Sequence, residues 1–444
     1  MRQAVILAGG KGTRLRERLQ GRPKPLVDVD GTPLLDRQIE VLRRNRISDI
    51  VVLVGHGADQ IEAFCRGPAF TDLRLRLLDD GEPRGTAGAL LHAFGWLAER
   101  FLVVYGDTLF EIDLGCLWNF HVRTKADATL VVHPNDHPFD SDLVEMDESN
   151  RVIALHRLPR DPGLLLPNLV NAGMYVLERD AIAFWREQHA PTDIARDLFP
   201  AMLHRGADLR GYATFEYIKD LGTPKRLDKV ISDLRSGVVD RSRIGHQKRA
   251  VFLDRDGTIN EWKGHVARAE NFALIKGAAE AVKQLNEAEY RVIVVTNQPV
   301  IARGEATFEE VRKIHWKMET LLGEQGAFID RLYLCPHHPD KGFPGEVATL
   351  KVACDCRKPG TGLIQKACNE FNIDLGKSWL IGDTTADMLA ARRAGLTSIL
   401  VETGEAGRDG KYALRPDFIA MDLLAAVQLI TRSEPFAEAR HTTA

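Results

Sequence analysis

The sequence predicts an α/β protein built from two doubly wound domains, in which helices cover both faces of a mostly parallel sheet. Apolar runs with the length of buried strands occur in two sets, at residues 4–8, 50–54 and 101–105, and at residues 250–253, 292–295 and 379–381. Residues 34–42 carry apolar side chains at helical spacing, so the first set already contains a strand–helix–strand unit. Two separate sets of strands predict two separate sheets.

A charged and weakly hydrophobic stretch separates the two sets of strands. Residues 237–248 combine this composition with two glycines, which is typical of a linker. We therefore predict one domain over residues 1–236 and a second over residues 249–432. Residues 433–444 are mostly small or polar, and we predict a flexible tail there.

The overall composition excludes several classes of protein. The chain has 444 residues, of which 44% are hydrophobic and 27% charged, enough for two full hydrophobic cores. Its net charge is -3 and its basic residues are spread along both halves, so we expect no nucleic-acid partner. The sequence contains neither a run of 18 apolar residues nor a signal-peptide core, so we expect a cytoplasmic protein without a membrane partner.

The first predicted strand leads into a glycine-rich turn. The turn reads Gly9-Gly10-Lys11-Gly12-Thr13-Arg14, and the free backbone N–H groups of such a turn can cradle a phosphate. Glycines also serve simply to reverse a chain, so the turn alone is weak evidence. Ten residues later, Pro23-Lys24-Pro25 places a lysine in a stiffened loop, and a second cation beside Arg14 favours phosphate binding.

Over roughly residues 2–235 the chain resembles the sugar-phosphate nucleotidylyltransferases, whose fold is the nucleotide-diphospho-sugar transferase (GT-A-like) fold. The resemblance rests on the pattern from Gly9 to Leu26 and on Gly85-Thr86-Ala87-Gly88, Gly106-Asp107-Thr108, Asn171-Ala172-Gly173 and Asp220-Leu221-Gly222-Thr223-Pro224. It implies that catalysis depends on Arg14 and Lys24 and that Asp107 and Asp220 bind Mg²⁺. It also implies sugar contacts from Asn171 and Gly173. The residues that it implies for nucleotide binding are Leu7, Ala8, Gly9, Gly10, Gly12, Thr13, Gly85 and Thr86. Two carboxylates at strand ends are suitable Mg²⁺ ligands, and fixed cations suit attack on a phosphorus atom.

Two alternatives stay open in this half of the chain. The residues alone are also consistent with Asp107 as a helix cap and with a simple turn at residues 171–173. The chain also departs from the family pattern, because His156-Arg157 stands where a Glu-Lys pair before a proline is usual. The usual hexose recognition therefore does not carry over.

The second set of strands begins with Asp254-Arg255-Asp256-Gly257-Thr258, which resembles the first motif of the haloacid dehalogenase-like phosphatases. Their later motifs follow in order at Thr296-Asn297, Arg357-Lys358-Pro359 and Gly382-Asp383. The resemblance implies a Rossmannoid fold in which Asp254 is the nucleophile and Asp256 the acid and base. It further implies that Thr296, Asn297, Arg357 and Lys358 bind phosphate or substrate, and that Asp254, Asp256 and Asp383 hold Mg²⁺. Asp387 remains open between this site and the first turn of a helix.

A third group of residues has the composition of a closed zinc site. The segments Cys335-Pro336-His337-His338 and Cys354-Asp355-Cys356 supply three thiolates and an imidazole, which favours structural Zn²⁺ over disulfides. By the family pattern the ligands are Cys335, His337, Cys354 and Cys356, with His338 as the alternative imidazole and free buried thiols as the alternative to a metal. The remaining cysteines, Cys65, Cys116 and Cys368, are isolated.

The C-terminal motifs together resemble the D-glycero-D-manno-heptose 1,7-bisphosphate phosphatases. The histidinol-phosphate phosphatases share the zinc pattern, with a shorter gap than the one between His337 and Cys354. Taken with the first half, the resemblance implies a bifunctional enzyme that removes the C7 phosphate and then transfers a nucleotidyl group, with GTP favoured, to the heptose 1-phosphate. The product is a nucleotide-activated heptose for surface polysaccharide synthesis.

An alternative joins a hexose 1-phosphate nucleotidylyltransferase to a phosphatase of another substrate, such as histidinol phosphate. The sequence leaves open the nucleotide base, the sugar and its anomer, and direct transfer between the sites. It also leaves open the oligomeric state, a homo-oligomer included.

Overall fold

The computed structural model describes residues 2–10, 12–161, 163–186 and 192–441. It divides into two compact units. The N-terminal unit comprises Met1–His133, Asp142–Arg160 and Leu169–Ile244, and the C-terminal unit comprises Pro134–Ser141, Asp161–Asn168 and Gly245–Ala444. The main division falls inside the predicted linker, whereas the grouping of 134–141 and 161–168 with the C-terminal unit was not predicted.

The N-terminal unit is built on a mixed sheet. Its strands are β1 (Gln3–Leu7), β2 (Asp28–Val29), β3 (Thr32–Pro33), β4 (Asp49–Val54), β5 (Arg74–Asp79), β6 (Arg100–Tyr105), β7 (Thr108–Glu111), β8 (Ala128–His133), β9 (Leu143–Met146), β10 (Val152–His156), β11 (Val170–Glu178), β12 (Leu209–Ala213) and β13 (Tyr217–Asp220). The main sheet has the order β10-β9-β11-β6-β1-β4-β5, and β8 joins β11 to β12. Strands β6, β1, β4 and β5 are parallel, as predicted. Strand β11 runs antiparallel to β6 and β8, which the sequence did not indicate.

Helices cover both faces of this sheet. They are α1 (Arg16–Leu19), α2 (Leu34–Arg44), α3 (Ala58–Cys65), α4 (Gly85–His92), α5 (Leu114–Thr124), α6 (Arg179–Ile182), α7 (Phe199–His204), α8 (Pro224–Arg235) and α9 (Val238–Arg241). Alternate residues of β1 point into different cores, since Ala4 and Ile6 belong to one apolar cluster and Val5 to another. The doubly wound arrangement predicted from the apolar runs is therefore confirmed.

The C-terminal unit contains a wholly parallel sheet. Its strands are β14 (Ala250–Leu253), β15 (Arg291–Asn297), β16 (Arg331–Cys335), β17 (Trp379–Gly382), β18 (Thr397–Val401) and β19 (Phe418–Ala420), in the order β16-β15-β14-β17-β18-β19. Its helices are α10 (Ala278–Glu287), α11 (Pro299–Ala302), α12 (Phe308–Gly323), α13 (Gly362–Phe371), α14 (Thr385–Ala394) and α15 (Leu423–His441). The chain reverses its winding direction at β14, and open parallel sheets bind ligands at the carboxyl ends of strands beside such a reversal.

Short single-turn segments complete the description. They are 3₁₀ turns at Thr13–Leu15, Lys24–Leu26, Pro68–Phe70, Phe94–Trp96, Pro138–Asp140, Ala183–Trp185, Ala269–Asn271, Ala348–Leu350 and Leu375–Lys377, and a π-helical turn at Ile194–Leu198. In the described part of the chain no helix is long and apolar enough to cross a membrane.

Helices overlap both the predicted linker and the predicted tail. Helix α9 lies inside the predicted linker 237–248, because Val239 is buried in the apolar cluster that also holds Val230 of α8. Helix α15 spans Leu423–His441 and so overlaps the predicted tail 433–444. Residues 442–444 lie outside the described residues.

Candidate active sites

The glycine-rich turn after β1 packs against the predicted catalytic lysine. Gly9 and Gly10 are exposed at the end of the strand, and Gly12 has a left-handed backbone with φ of 61°. A Cβ atom at Gly12 would lie 3.1 Å from Cβ of Lys24. Glycine is therefore required at position 12 both for its backbone conformation and for the close approach of Lys24.

The two carboxylates predicted to bind Mg²⁺ in this unit are brought together by the β7–β13 ribbon. Asp220 at the end of β13 pairs with Thr108, and the N–H of Leu221 donates to the carbonyl of Asp107 at 2.8 Å. Asp107 precedes β7 and accepts from Nζ of the buried Lys24 at 2.6 Å. Asp107 is therefore not a helix cap.

Asp220 forms an ion pair with Arg226, a residue that the sequence analysis did not single out. Nη1 of Arg226, in the first turn of α8, lies 2.9 Å and 2.8 Å from the two carboxylate oxygens of Asp220. Arg14 lies on the same side, because a Cβ at Gly222 would be 2.7 Å from Oδ2 of Asp220 and 3.4 Å from Nη2 of Arg14. Each predicted metal-binding carboxylate of this unit is thus paired with a cation.

The predicted nucleotide-binding pair Gly85 and Thr86 packs tightly against Thr192 and Asp193. The Thr86 hydroxyl donates to Asp193 at 2.8 Å and accepts from the N–H of Ile194 at 2.8 Å. A Cβ at Gly85, whose φ is 72°, would lie 2.3 Å from the carbonyl oxygen of Thr192. The Thr86 hydroxyl is therefore engaged within the protein.

The predicted sugar-contacting residues lie within β11 and not in a simple turn. The Asn171 amide donates to the Tyr175 hydroxyl at 3.1 Å, and its oxygen accepts from the N–H of Gly173 at 3.2 Å. The strand register shifts between Asn171 and Tyr175, and Gly173 has a φ of 68°. This irregularity turns the Asn171 amide toward its own strand.

The C-terminal motif residues meet at one edge of the parallel sheet, as the sequence predicted. Asp254 follows β14, Asp383 follows β17, and Thr296 and Asn297 end β15. Carboxylate oxygens of Asp254, Asp383 and Asp387 all lie within 4.8 Å of one another, and all three residues are buried.

One buried lysine contacts two of these three carboxylates. Nζ of Lys358 lies 2.8 Å from Oδ1 of Asp254 and 2.6 Å from Oδ1 of Asp387. Burial would lower the pKa of Lys358, but Asp254 and Asp387 outweigh burial and raise the pKa, so the lysine stays charged.

The carboxylates carry more negative charge than Lys358 balances. Burial raises the pKa of Asp383 to about 8, and repulsion from Asp254 and Asp387 adds to the shift. Burial likewise raises the pKa of Asp254 to about 6, although Lys358 opposes it. Within the described residues, Oδ1 of Asp383 is buried without a hydrogen-bond partner. A buried group of oxygen atoms with excess negative charge fits a divalent cation.

Glycines and a loop at residues 403–407 fix Asp383, a role of this loop that was not predicted from the sequence. The N–H of Glu405 donates to Oδ2 of Asp383 at 2.7 Å. Added Cβ atoms at Gly257 and Gly404 would lie 2.4 Å and 2.1 Å from the same oxygen. The glycine of the first motif is therefore needed for close packing against Asp383.

The motif predicts Asp256 as a Mg²⁺ ligand, but its carboxylate is not part of the group formed by Asp254, Asp383 and Asp387. Nη2 of the buried Arg255 donates to both of its oxygens at 2.8 Å, and Gln298 donates to Oδ2 at 2.8 Å. Burial would raise the pKa of Asp256, but Arg255, Gln298 and Asn260 outweigh burial and lower it. The ion pair with Arg255 therefore keeps Asp256 ionised. It also occupies the carboxylate oxygens that were expected to bind Mg²⁺.

Asn297 contacts the backbone of Lys358. Its amide donates to the Lys358 carbonyl at 3.1 Å and its oxygen accepts from the Lys358 N–H at 3.0 Å. Thr296 lies beside it, and its hydroxyl oxygen accepts from Gln298 at 2.8 Å. Asn297, predicted to bind substrate, is therefore placed to position Lys358.

Asp387 fulfils both alternatives that the sequence left open. Its Oδ2 accepts from the N–H and hydroxyl of Thr384 at 3.1 Å and 2.6 Å, which forms the capping box of α14. Its Oδ1 faces Lys358. The helix cap thereby fixes a carboxylate of the cluster.

The predicted zinc ligands converge. Ligand atoms of Cys335, His337, Cys354 and Cys356 lie within 4.8 Å of one another. The Sγ atom of Cys356 is 3.2 Å from those of Cys335 and Cys354 and from Nδ1 of His337. Ligands at about 2.3 Å from a tetrahedral zinc would be roughly 3.8 Å apart, so the four residues fit Zn²⁺ after small adjustments.

The contacts of His338 favour His337 as the histidine of the cluster. Nε2 of His338 lies 3.3 Å from Nη2 of Arg303, so its imidazole is turned elsewhere. Arg357 donates to the His337 carbonyl at 3.2 Å, which connects the cysteine cluster to the segment that carries Lys358.

Fold and sites define a chain with two separate phosphate-handling α/β units. A family model described as nucleotidyl transferase matches residues 3–237, and one described as HAD-hydrolase-like matches residues 355–426. A D-glycero-beta-D-manno-heptose-1,7-bisphosphate 7-phosphatase from Yersinia pestis is 43% identical over 157 residues, 35% of this chain and 81% of the relative. A D-glycero-D-manno-heptose-1,7-bisphosphate 7-phosphatase from Thermosynechococcus vestitus is 39% identical over 188 residues, 41% of this chain and 94% of the relative.

Among solved structures, HddC from Yersinia pseudotuberculosis complexed with GMP-PN is similar, with 25% sequence identity and a TM-score of 0.46. The match covers 53% of this chain and 100% of that one. Through residues 3–237 the chain belongs to the nucleotidyl transferase family, and its C-terminal part belongs to the haloacid dehalogenase-like phosphatase family of these relatives. It is a bifunctional enzyme that joins a nucleotidyltransferase to a phosphatase.

We expect Asn297→Ala to slow phosphate release roughly ten- to a hundredfold, because Lys358 loses the amide that positions it. Asn286→Ala is the matched control, since Asn286 makes the same two backbone contacts with Phe328, both at 3.0 Å. Each variant loses about 1–3 kcal/mol of stability. Phosphatase assays and chemical denaturation check both effects, and equal phosphatase rates in the two variants would contradict the role of Asn297.

We expect the purified chain to contain about one zinc ion and Cys356→Ser to lose it, because the cluster then lacks a thiolate. Cys368→Ser is the control, since Cys368 lies in α13 outside the cluster. Elemental analysis after dialysis measures the metal content. Zinc retained by Cys356→Ser, or lost equally from Cys368→Ser, would show that the cluster is not its site.

Proposed function

We propose that the C-terminal unit removes the C7 phosphate of D-glycero-D-manno-heptose 1,7-bisphosphate and that the N-terminal unit transfers GMP from GTP to the resulting heptose 1-phosphate. The observation that carries the proposal is the similarity to heptose bisphosphate 7-phosphatases, at 39–43% identity over most of their length, on a chain of the nucleotidyl transferase family. Removal of the C7 phosphate leaves a sugar 1-phosphate, the kind of acceptor that such a transferase uses. The product is a nucleotide-activated heptose for surface polysaccharides.

In the phosphatase step we assign the attack on phosphorus to Asp254. Lys358 and a Mg²⁺ ion held by Asp254 and Asp383 would screen the negative charge of the phosphate from the attacking carboxylate. The attack breaks the bond between phosphorus and the C7 oxygen and forms an aspartyl-phosphate, and water activated by Asp256 later hydrolyses this intermediate, which releases inorganic phosphate and restores Asp254. We assign proton transfer to the leaving oxygen to Asp256, whose carboxylate must first part from Arg255, because that ion pair holds it ionised.

In the transfer step an oxygen of the heptose 1-phosphate attacks the α-phosphorus of GTP and pyrophosphate leaves. The glycine-rich turn, Arg14 and Lys24 bind and neutralise the phosphates, and Asp107 and Asp220 would hold Mg²⁺, which would neutralise further charge on them. The positions of these groups support the assignment. The glycine-rich turn follows β1, Asp107 and Asp220 lie at one end of the β7–β13 ribbon, and Lys24 contacts Asp107. GTP is favoured because the sequence lacks the His-x-Gly-His signature of the adenylyltransferases that make ADP-heptose.

We expect Asp254→Asn to reduce phosphate release from heptose 1,7-bisphosphate by roughly a thousandfold or more, because the amide is not a nucleophile. The same variant should release pyrophosphate at the normal rate from supplied heptose 1-phosphate and GTP. Asp220→Asn should show the reverse pattern. Colorimetric assays of both anions, with the nucleotide sugar followed by mass spectrometry, measure the three products.

Histidinol phosphate and hexose 1-phosphates serve as comparison substrates, and the other nucleoside triphosphates as alternatives to GTP. Phosphate release without any nucleotide sugar, whichever triphosphate is offered, would refute the coupled function. Faster turnover of histidinol phosphate than of the heptose bisphosphate would favour the alternative pairing of activities. Undiminished phosphate release by Asp254→Asn would show that another group attacks phosphorus.

A further inference from the structure

Arg226 forms an ion pair with Asp220, a carboxylate that the proposed function assigns as a ligand of the metal ion in the N-terminal unit. Its Nη1 contacts both oxygens of Asp220 at 2.9 Å and 2.8 Å, so the side chain occupies the face of the carboxylate that a cation would use. Asp220 also accepts from the N–H of Gly222 at 3.1 Å. This backbone contact holds Asp220 in place independently of Arg226.

The pair is of a kind that a divalent ion can displace. The Arg226 and Asp220 side chains are 24% and 39% exposed, and ion pairs exposed to this extent contribute roughly 0.2–1 kcal/mol. Mg²⁺ sites in such enzymes commonly use one or two carboxylates together with substrate phosphates. A guanidinium on one of two carboxylates is therefore a direct competitor of the ion.

We infer that Arg226 and the metal ion are alternative partners of Asp220, and that Arg226, once displaced, binds the phosphates of the nucleotide. The inference rests on the proposed function, which places the metal at Asp107 and Asp220. The position of Arg14 supports phosphate binding by Arg226. Arg14 lies on the same side of Asp220, beside Gly222, and it directly follows Gly12 and Thr13 of the glycine-rich turn, where the phosphates are expected. Displacement moves a positive charge from a carboxylate to the place where phosphates are expected, so metal and nucleotide bind cooperatively.

The first test measures Mn²⁺ binding to the full chain by paramagnetic resonance, without nucleotide. Asp254→Asn and Asp383→Asn are present throughout, so that the phosphatase site does not contribute. We expect Arg226→Ala and Arg226→Gln to bind Mn²⁺ about 1.4- to fivefold more tightly, the factor that corresponds to the lost ion pair. Lys229→Ala is the matched control, since it removes a cation that pairs with Asp233 on the same helix, and its affinity should not change.

Unchanged or weaker Mn²⁺ binding by the Arg226 variants would overturn the competition. Asp220→Asn in the same background distinguishes this outcome from failure of the proposed function. If Asp220→Asn leaves Mn²⁺ binding unchanged, the metal assignment itself is wrong, whatever Arg226 does. If it weakens binding and the Arg226 variants do not strengthen it, only the inference fails.

The second test is a double-mutant cycle on GTP affinity in excess EDTA, measured by calorimetry. Asp220→Asn removes a negative charge and also releases Arg226, so it should tighten GTP binding. In the Arg226→Ala background only the charge effect remains, and the gain should be smaller. Equal gains in the two backgrounds would show that released Arg226 does not bind the nucleotide.

Discussion

The buried contact of Lys358 with Asp254 and Asp387 is the interaction on which the phosphatase site depends. Three carboxylates with oxygens within 4.8 Å of one another repel strongly in a buried site, and one lysine offsets only part of that repulsion. The surrounding structure holds the carboxylates in place against the repulsion that Lys358 does not offset. Asn297 fixes the backbone of Lys358, and the cap of α14 fixes Asp387. Burial, with repulsion from Asp254 and Asp387 added to it, raises the pKa of Asp383, and a divalent cation would neutralise the excess negative charge.

The nucleotidyltransferase site handles charge differently. Its two carboxylates are each paired with a cation, Asp107 with Lys24 and Asp220 with Arg226, and the Asp220 pair is partly exposed. A nucleophilic carboxylate must be buried and aimed, whereas nucleotidyl transfer needs two substrates held in line and their charge neutralised. The nucleotidyltransferase site therefore contains separate ion pairs, one of them partly exposed, where the phosphatase site contains a buried cluster of carboxylates around one lysine.

Sequence patterns predicted the strands and motifs that depend on local order. The apolar runs that became β1 and β14 are short, continuous and followed by glycine or aspartate, so both the strands and the motifs at their ends were visible. Features that depend on pairing between distant segments were not visible. The antiparallel direction of β11 and the grouping of residues 134–141 with the C-terminal unit are of this kind. Arg226 was missed because an arginine at a helix start has many ordinary uses, and only the folded chain places it on Asp220.

The account claims that one chain carries two separate metal-assisted phosphate sites, and anomalous diffraction from crystals of the full chain grown with Mn²⁺ tests it most directly. It predicts one manganese peak bound by Asp254 and Asp383 and another, strengthened by GTP, bound by Asp107 and Asp220. Peaks elsewhere, or a carboxylate pair that binds no ion even with nucleotide present, would contradict the claim for that half of the chain.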